Sequence, residues 1–164
     1  MNKKLLALFF SFAIVFSIPF LLNSNSNSHW TGWDFPERVE NQPYDIDLLQ
    51  VPEDILEKMS TEELVDVVLR YPRWYYVYLF SSYAEGVASI SRDFNGMREL
   101  LAREDDKAKY FWDAYEKQRI KEMEEDPTNT LISRQILILL GRTSIVEELT
   151  EDEIEFIESH LHGW

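Results

Sequence analysis

The chain has 164 residues and carries 30 acidic side chains against 16 lysines and arginines, a formal net charge of −14. This charge repels nucleic-acid phosphates, and the lack of cysteine excludes disulfides, thiolate metal sites and cysteine nucleophiles. The length and the hydrophobic content of 45% predict one domain with a single core.

Residues 1–28 have the pattern of an export segment. Lys3 and Lys4 precede Leu5 to Leu22, a stretch of 18 residues without charge, and alternating asparagines and serines follow it. This order predicts a secretory signal peptide, cleaved before Asn27 or before His29. The alternative is an uncleaved anchor, since such a stretch can just cross a bilayer core of roughly 30 Å. In both cases we expect an extracytoplasmic protein, secreted or membrane-anchored.

Residues 29–50 form an irregular lead with no sustained period. Four aromatic residues lie in it, interrupted by Gly32, Pro36 and Pro43: Trp30, Trp33, Phe35 and Tyr44. Two interpretations are open, an extended strap whose aromatics fill grooves of the domain, and a mobile linker. The aromatic content favours the strap, since disordered linkers are poor in such residues.

Helix signals dominate residues 51–164, which we take as a single helical domain. Pro52 stands before two acids at a predicted helix start, and Ser60 with Glu63 forms a capping box. Pro72 ends that helix near Arg70 or Tyr71, because the residue before a proline is disfavoured in the helical region. Residues 73–90 form either one helix broken near residues 81–82 or two short helices.

In the second half of the domain the sequence predicts four further helices. A turn at 94–96 and a helix with Met97, Leu100 and Leu101 on one face come first. Residues 107–125 read as a long amphipathic helix with Phe111, Tyr115 and Met123 turned inward. Residues 126–127 then cap an apolar helix that includes Leu131, Ile132 and the run to Leu140, is the most buried, and closes at Gly141. A second capping box, Thr150 with Glu153, begins the last helix, which turns Ile154, Ile157 and Leu161 inward.

These elements predict an all-α fold, a compact irregular array of six to eight short helices behind the N-terminal segment. No stretch shows the alternation of a half-buried strand. Proline breaks and short helices favour an irregular array over a regular four-helix bundle.

Several blocks of residues 51–125 resemble a recurrent pattern of exported bacterial proteins. The pattern reads M-S-T-E-E-L, Y-P, F-N-G and E-L-L-x-R-x-D, and here these blocks begin at Met59, Tyr71, Phe94 and Glu99. The family that it resembles is helical and has no known activity. The resemblance therefore implies a fold and carries no catalytic or binding residue over.

The densest aromatic block lies between Tyr71 and Tyr83, with seven aromatics in thirteen positions. At α-helical spacing they fall on two sides, Tyr71, Trp74, Tyr75 and Tyr78 on one and Tyr76, Phe80 and Tyr83 on the other. The block is either core packing or, in part, an exposed surface for a protein or a glycan. We take as the possible interaction surface Trp74, Tyr75, Tyr76, Tyr78 and Tyr83.

Signals for catalysis, metals and cofactors are weak. The acidic runs, 122–126 and 147–158, have no calcium-loop spacing and read as solvated faces. Of Glu158, His160 and His162, the first and last share a helix face while His160 points away, so no metal site is expected. No G-x-S-x-G, phosphate-loop or dinucleotide motif is present, and we expect no cofactor.

The sequence thus predicts a non-enzymatic exported module that binds a protein or glycan at the cell surface or in the medium. The alternative is a small wall-modifying hydrolase that uses a Glu/Asp pair. A third possibility is a structural spacer or an inhibitor of a secreted partner. We expect no nucleic-acid partner, and membrane contact only through an uncleaved N-terminal segment.

Overall fold

The fold is known from a computed structural model that describes residues 33–36, 45–126 and 130–162. The predicted signal peptide or anchor at 1–28 and much of the lead lie outside these residues. Within the described ranges, no helix combines the length and the apolar character needed to cross a bilayer.

The described part of the chain is all-helical and contains no strand, which confirms the predicted fold class. Three 3-10 helices cover Ile46–Leu49, Trp74–Leu79 and Ser144–Glu148. The α-helices are α1 (Glu53–Leu56), α2 (Thr61–Leu69), α3 (Tyr83–Asp93), α4 (Asn95–Ala102), α5 (Lys107–Glu125), α6 (Leu131–Arg142) and α7 (Glu151–Leu161).

Local capping explains where several helices begin. Ser60 and Glu63 form the predicted capping box of α2, and Thr150 and Glu153 form that of α7. Each box satisfies backbone N–H groups that a helix start otherwise leaves unpaired. Ser82 caps α3 through the backbone N–H of Glu85, so the break predicted near residues 81–82 is confirmed and separates two elements.

The core is built around α6, which contacts α2, α3, α5 and α7. Residues Ile136 to Leu140 are all buried, as the apolar run predicts. Two details of the prediction are wrong. Leu131 and Ile132 in the first turn of α6 are exposed, and Gly141 lies inside α6, which ends one residue later.

Helix α5 has the predicted bounds but not the predicted inward face along its whole length. Phe111 is fully buried and Tyr115 is partly buried against the core, whereas Met123 is 66% exposed. The reason is angular: Glu122, eleven residues after Phe111, returns to the Phe111 face and is buried against the start of α6, whereas Met123 lies about 120° around the helix from Phe111. On α7, Ile157 and Leu161 are buried as predicted.

The described parts of the lead pack against the helices. The Phe35 ring lies 5.8 Å from that of Phe94 and 5.9 Å from that of Tyr71, and Leu49 is fully buried. These described residues therefore lie where the strap interpretation places them, against the surface of the helical domain.

Two side-chain amides attach the strap to the junction between α3 and α4. The Asn95 amide donates to the Val51 carbonyl at 2.7 Å and accepts from the Val51 N–H at 2.9 Å. Gln50 donates to the Asp93 carbonyl at 2.8 Å and accepts from the Asn95 N–H at 2.9 Å. These four bonds satisfy backbone groups that neither helix can pair.

Candidate functional site

The aromatic block is folded as a 3-10 helix, and this decides which rings are exposed. Pro72 follows the end of α2, and Trp74–Leu79 then wind with three residues per turn. Trp74 and Val77, three residues apart, are buried, and the Trp74 Nε1–H donates to the Val68 carbonyl. With these two residues fixed inward, Tyr75 and Tyr78 are placed outward.

The predicted interaction surface is therefore divided. Trp74 is only 6% exposed and belongs to the core, as does Tyr71, so the inclusion of Trp74 in an accessible surface is wrong. The α-helical spacing had grouped Trp74 with Tyr75 and Tyr78. A 3-10 helix places neighbours 120° apart instead of 100°, so that i and i+3 coincide and i+1 does not.

What remains outside is a group of side chains on two adjoining sides of this segment, which we call the tyrosine patch. Its members are Tyr75, Tyr76, Tyr78, Leu79, Phe80 and Tyr83. Four of them are large hydrophobic side chains with high exposure: Tyr75 at 55%, Tyr78 at 40%, Leu79 at 70% and Phe80 at 40%. Exposed apolar side chains that adjoin one another in this way are a common mark of binding surfaces.

The rings of the patch contact one another and two arginines. The Tyr75 and Tyr76 ring centroids are 4.6 Å apart, and the Arg73 guanidinium lies 4.2 Å from the centroid of Tyr76. Tyr78 and Tyr83 meet edge to face at 5.9 Å, and Arg134 donates to the Tyr83 hydroxyl at 3.2 Å. The patch is thus a set of ordered rings with positive charge at two edges.

Hydrogen bonding and burial shift the pKa values of two tyrosine hydroxyls of the patch in opposite directions. Hydrogen bonding to Tyr75, then to Arg73, lowers the pKa of the Tyr76 hydroxyl. Burial of the Tyr78 hydroxyl raises its pKa, although its ring is partly exposed. A tyrosine hydroxyl can both donate and accept, so the patch offers hydrogen bonds around an apolar centre.

Helix α3 supports the patch from beneath. At Gly86 a Cβ atom would lie 2.7 Å from both the Cα and the carbonyl oxygen of Val77. Only glycine allows the α3 backbone to approach the 3-10 helix so closely. This contact fixes the distance between the 3-10 helix and α3, and it thereby keeps Tyr75 and Tyr78 directed outward.

The acidic runs are not uniformly solvated, contrary to the prediction. Glu122 is 5% exposed and accepts hydrogen bonds from the Ser133 N–H at 3.1 Å, Gln118 at 3.0 Å and Arg119 at 2.9 Å. Burial would raise the pKa of Glu122, but these donors outweigh it and lower the pKa. The carboxylate caps α6 from the neighbouring helix.

Two further acids hold the C-terminal segment in place. Glu148 forms an ion pair with the buried ammonium of Lys107 at 2.7 Å and accepts from the Ala108 N–H at the start of α5. Glu158 pairs with Arg142, and this hydrogen bond lowers the pKa of the Glu158 carboxyl. The other acids of α7 with exposed side chains fit the predicted solvated face.

The C-terminal histidines do not assemble a metal site. His162 lies 3.2 Å from Glu158, while the His160 ring contacts the Phe156 carbonyl. Among the described residues, no group of three or more potential metal ligands converges. The backbone at Asn95–Gly96 offers no open surface to a ligand, because the Phe94 ring covers Gly96.

One groove was not signalled by the sequence. It lies between α2 and α5, has a volume of about 480 Å³, and has an apolar base that includes Val65, Leu69 and Ala114. Glu62, Asp66 and Asp113 are among the residues that line it. No motif spans these two helices, so only the packing of α2 on α5 brings the residues together.

Comparison of the chain with protein-family models, with curated proteins and with solved structures gave no match. The resemblance to exported bacterial helical domains therefore gains no support from these comparisons.

Proposed function

We propose that this chain is an exported, non-enzymatic binding module that captures a protein partner through the tyrosine patch. The observation that supports this proposal is the exposure of Tyr75, Tyr78, Leu79 and Phe80 within six consecutive positions. Tyrosine and arginine are enriched in protein interfaces, where a ring can fill an apolar pocket while its hydroxyl bonds at the edge.

The ring geometry favours a protein over a glycan. Sugar rings stack on open aromatic faces, but Tyr76 has one face under Arg73 and its ring lies against Tyr75. The most exposed member, Leu79, offers no stacking face at all. An aliphatic side chain between tyrosines matches the apolar centre and polar rim of a protein interface.

Export is the second part of the proposal, and it rests on residues 1–28. A basic start, an uncharged stretch and a polar exit are typical of a secretory signal or an N-terminal anchor. The acidic net charge favours a partner other than anionic wall polymers, which it repels.

The test is capture of the partner from culture medium and cell-surface extract. The bait is the protein in the form that expressing cells export, and the test variant is Tyr75→Ser with Leu79→Ser. Leu48→Ser is the matched control, since Leu48 is 64% exposed on a different 3-10 helix. We expect the wild type and L48S to retain the same partner and the double variant to lose it, with melting temperatures that agree within a few degrees.

Three outcomes would contradict the proposal. Equal capture by the double variant would place the binding surface elsewhere. Binding to purified wall glycans that Y75S/L79S abolishes would identify a glycan-binding module. Release of soluble wall fragments, abolished by a single carboxylate substitution, would identify the alternative hydrolase.

A further inference from the structure

A second apolar surface lies on the solvent face of α5. Ile120 and Met123 are three residues apart and therefore share a face, and they are 61% and 66% exposed. Leu131 and Ile132, 57% and 44% exposed, lie in the first turn of α6. The bond from the Ser133 N–H to Glu122 brings that turn level with this part of α5. Ile120 and Met123 lie about 160° and about 100° around α5 from Glu122, so they point away from that turn of α6, and we call these two residues alone the hairpin patch.

The charge around the hairpin patch differs from that of the rest of the chain. Residues 116–125 of α5, which surround the patch, carry three basic and four acidic side chains, so their net charge is −1. The segment from Ser144 to Leu161 carries seven acids and no lysine or arginine. Copies of a chain with a net charge of −14 repel one another over most orientations, but least where the local charge is nearly balanced.

We propose that the hairpin patch binds a second copy of this chain, with the two α5 helices antiparallel about a two-fold axis. In this arrangement Ile120 of each copy packs on Met123 of the other. A two-fold contact is self-complementary, so one patch supplies both sides of the interface.

The charge pattern fits this register. Lys117 precedes Ile120 by three residues and Glu124 follows Met123 by one, which puts both on the same flank of the apolar stripe. When two such helices run antiparallel, the same flanks face each other, so Lys117 of one copy lies beside Glu124 of the other. Within one helix the two are about two turns apart, roughly 10 Å along the axis, and do not pair.

This proposal does not depend on the tyrosine patch, which lies on a different helix. The measurement is sedimentation equilibrium of the exported protein at concentrations from about 1 µM to about 1 mM, a range that covers weak dimers. We expect a monomer–dimer equilibrium for the wild type. Ile120→Ser with Met123→Ser is expected to raise the dissociation constant at least about tenfold. The matched control, Leu48→Ser, removes a side chain of similar exposure outside both patches and should leave it unchanged.

Charge reversal tests the register. Lys117→Glu and Glu124→Lys alone should each weaken the dimer about tenfold, because each places like charges opposite one another in both halves of the interface. The double variant restores opposite charges between the copies and should restore dimerisation. A protein that stays monomeric throughout, a dimer that responds to L48S but not to I120S/M123S, or a charge-reversed double variant as weak as the singles would overturn the proposal.

Discussion

The buried carboxylate of Glu122 provides the sharpest test of how the fold is held together. Among the described residues, Thr130 stands at the N-cap of α6 without a side-chain capping bond, and Glu122 on α5 accepts from the Ser133 N–H in its place. It also binds Arg119 and Gln118. One carboxylate therefore caps α6, fixes the α5–α6 contact and neutralises an arginine.

The perturbations are Glu122→Gln and Glu122→Ala. Glutamine keeps an acceptor for Ser133 but loses the charge, and since a charged hydrogen bond is worth about 1.5–3 kcal/mol, we expect a loss of about 1–2 kcal/mol. Alanine leaves both the Ser133 N–H and Arg119 unpaired, and we expect about 3 kcal/mol, the cost of breaking a buried pair. For a domain of this size that loss lowers the melting temperature by roughly 12 °C.

The assay is chemical denaturation of each variant between pH 7 and pH 3.5, with Glu125→Gln as the matched control because Glu125 is exposed on the same helix. The folded state lowers the pKa of Glu122 below its ordinary value of 4.5. Its contribution is therefore present in full above that value and is lost as the pH falls through the lowered pKa. The stability gap between wild type and E122Q should be constant at neutral pH and shrink on acidification. A gap no larger than that of E125Q, or one independent of pH, would refute the reasoning.

Two other contacts predict large effects from small changes. Gly86→Ala should destabilise the protein by more than about 2 kcal/mol, despite the better helix propensity of alanine, because the new methyl group meets the Val77 backbone. The control is Ala88→Gly on the same helix, which should cost only about 1 kcal/mol in thermal unfolding. A G86A variant as stable as wild type would contradict the close packing. Asn95→Ala should lose about 1–3 kcal/mol, because it leaves the N–H and C=O of Val51 unpaired. Hydrogen exchange at Val51 should then accelerate more than exchange in α6, and equal acceleration would show that the strap and the core open together.

The features that the sequence predicts well are those set by residues a few positions apart. The capping boxes at Ser60 and Thr150 join positions three residues apart, so the pattern alone contains them. The burial of Ile136 to Leu140 follows from an apolar run too continuous to face water on any side.

The features that the sequence did not predict depend on contacts between different secondary-structure elements. Glu122 stands in an acidic run, and nothing near it in sequence shows that Ser133, eleven residues on, needs an acceptor there. Trp74 and Tyr75 share one side of the segment at α-helical spacing but are separated in the 3-10 helix, and the support at Gly86 lies on another helix. Met123 was expected to face inward, but Glu122 takes the buried position on that face, and an acid among other acids does not reveal this in the sequence.

The hydrogen bonds of the Gln50 and Asn95 side-chain amides, which attach the strap, also determine the order in which parts of the chain fold during biosynthesis. Gln50 and Asn95 are 45 positions apart, and Phe35 is separated from Phe94 by still more of the chain. A polypeptide that grows from its N-terminus makes the strap first and its docking surface last. Until residue 95 is available, the Phe35 ring lacks Phe94 as a partner and the Gln50 amide lacks its partners at the junction between α3 and α4. The segment that precedes the helical body in the chain is therefore among the last to join the folded structure.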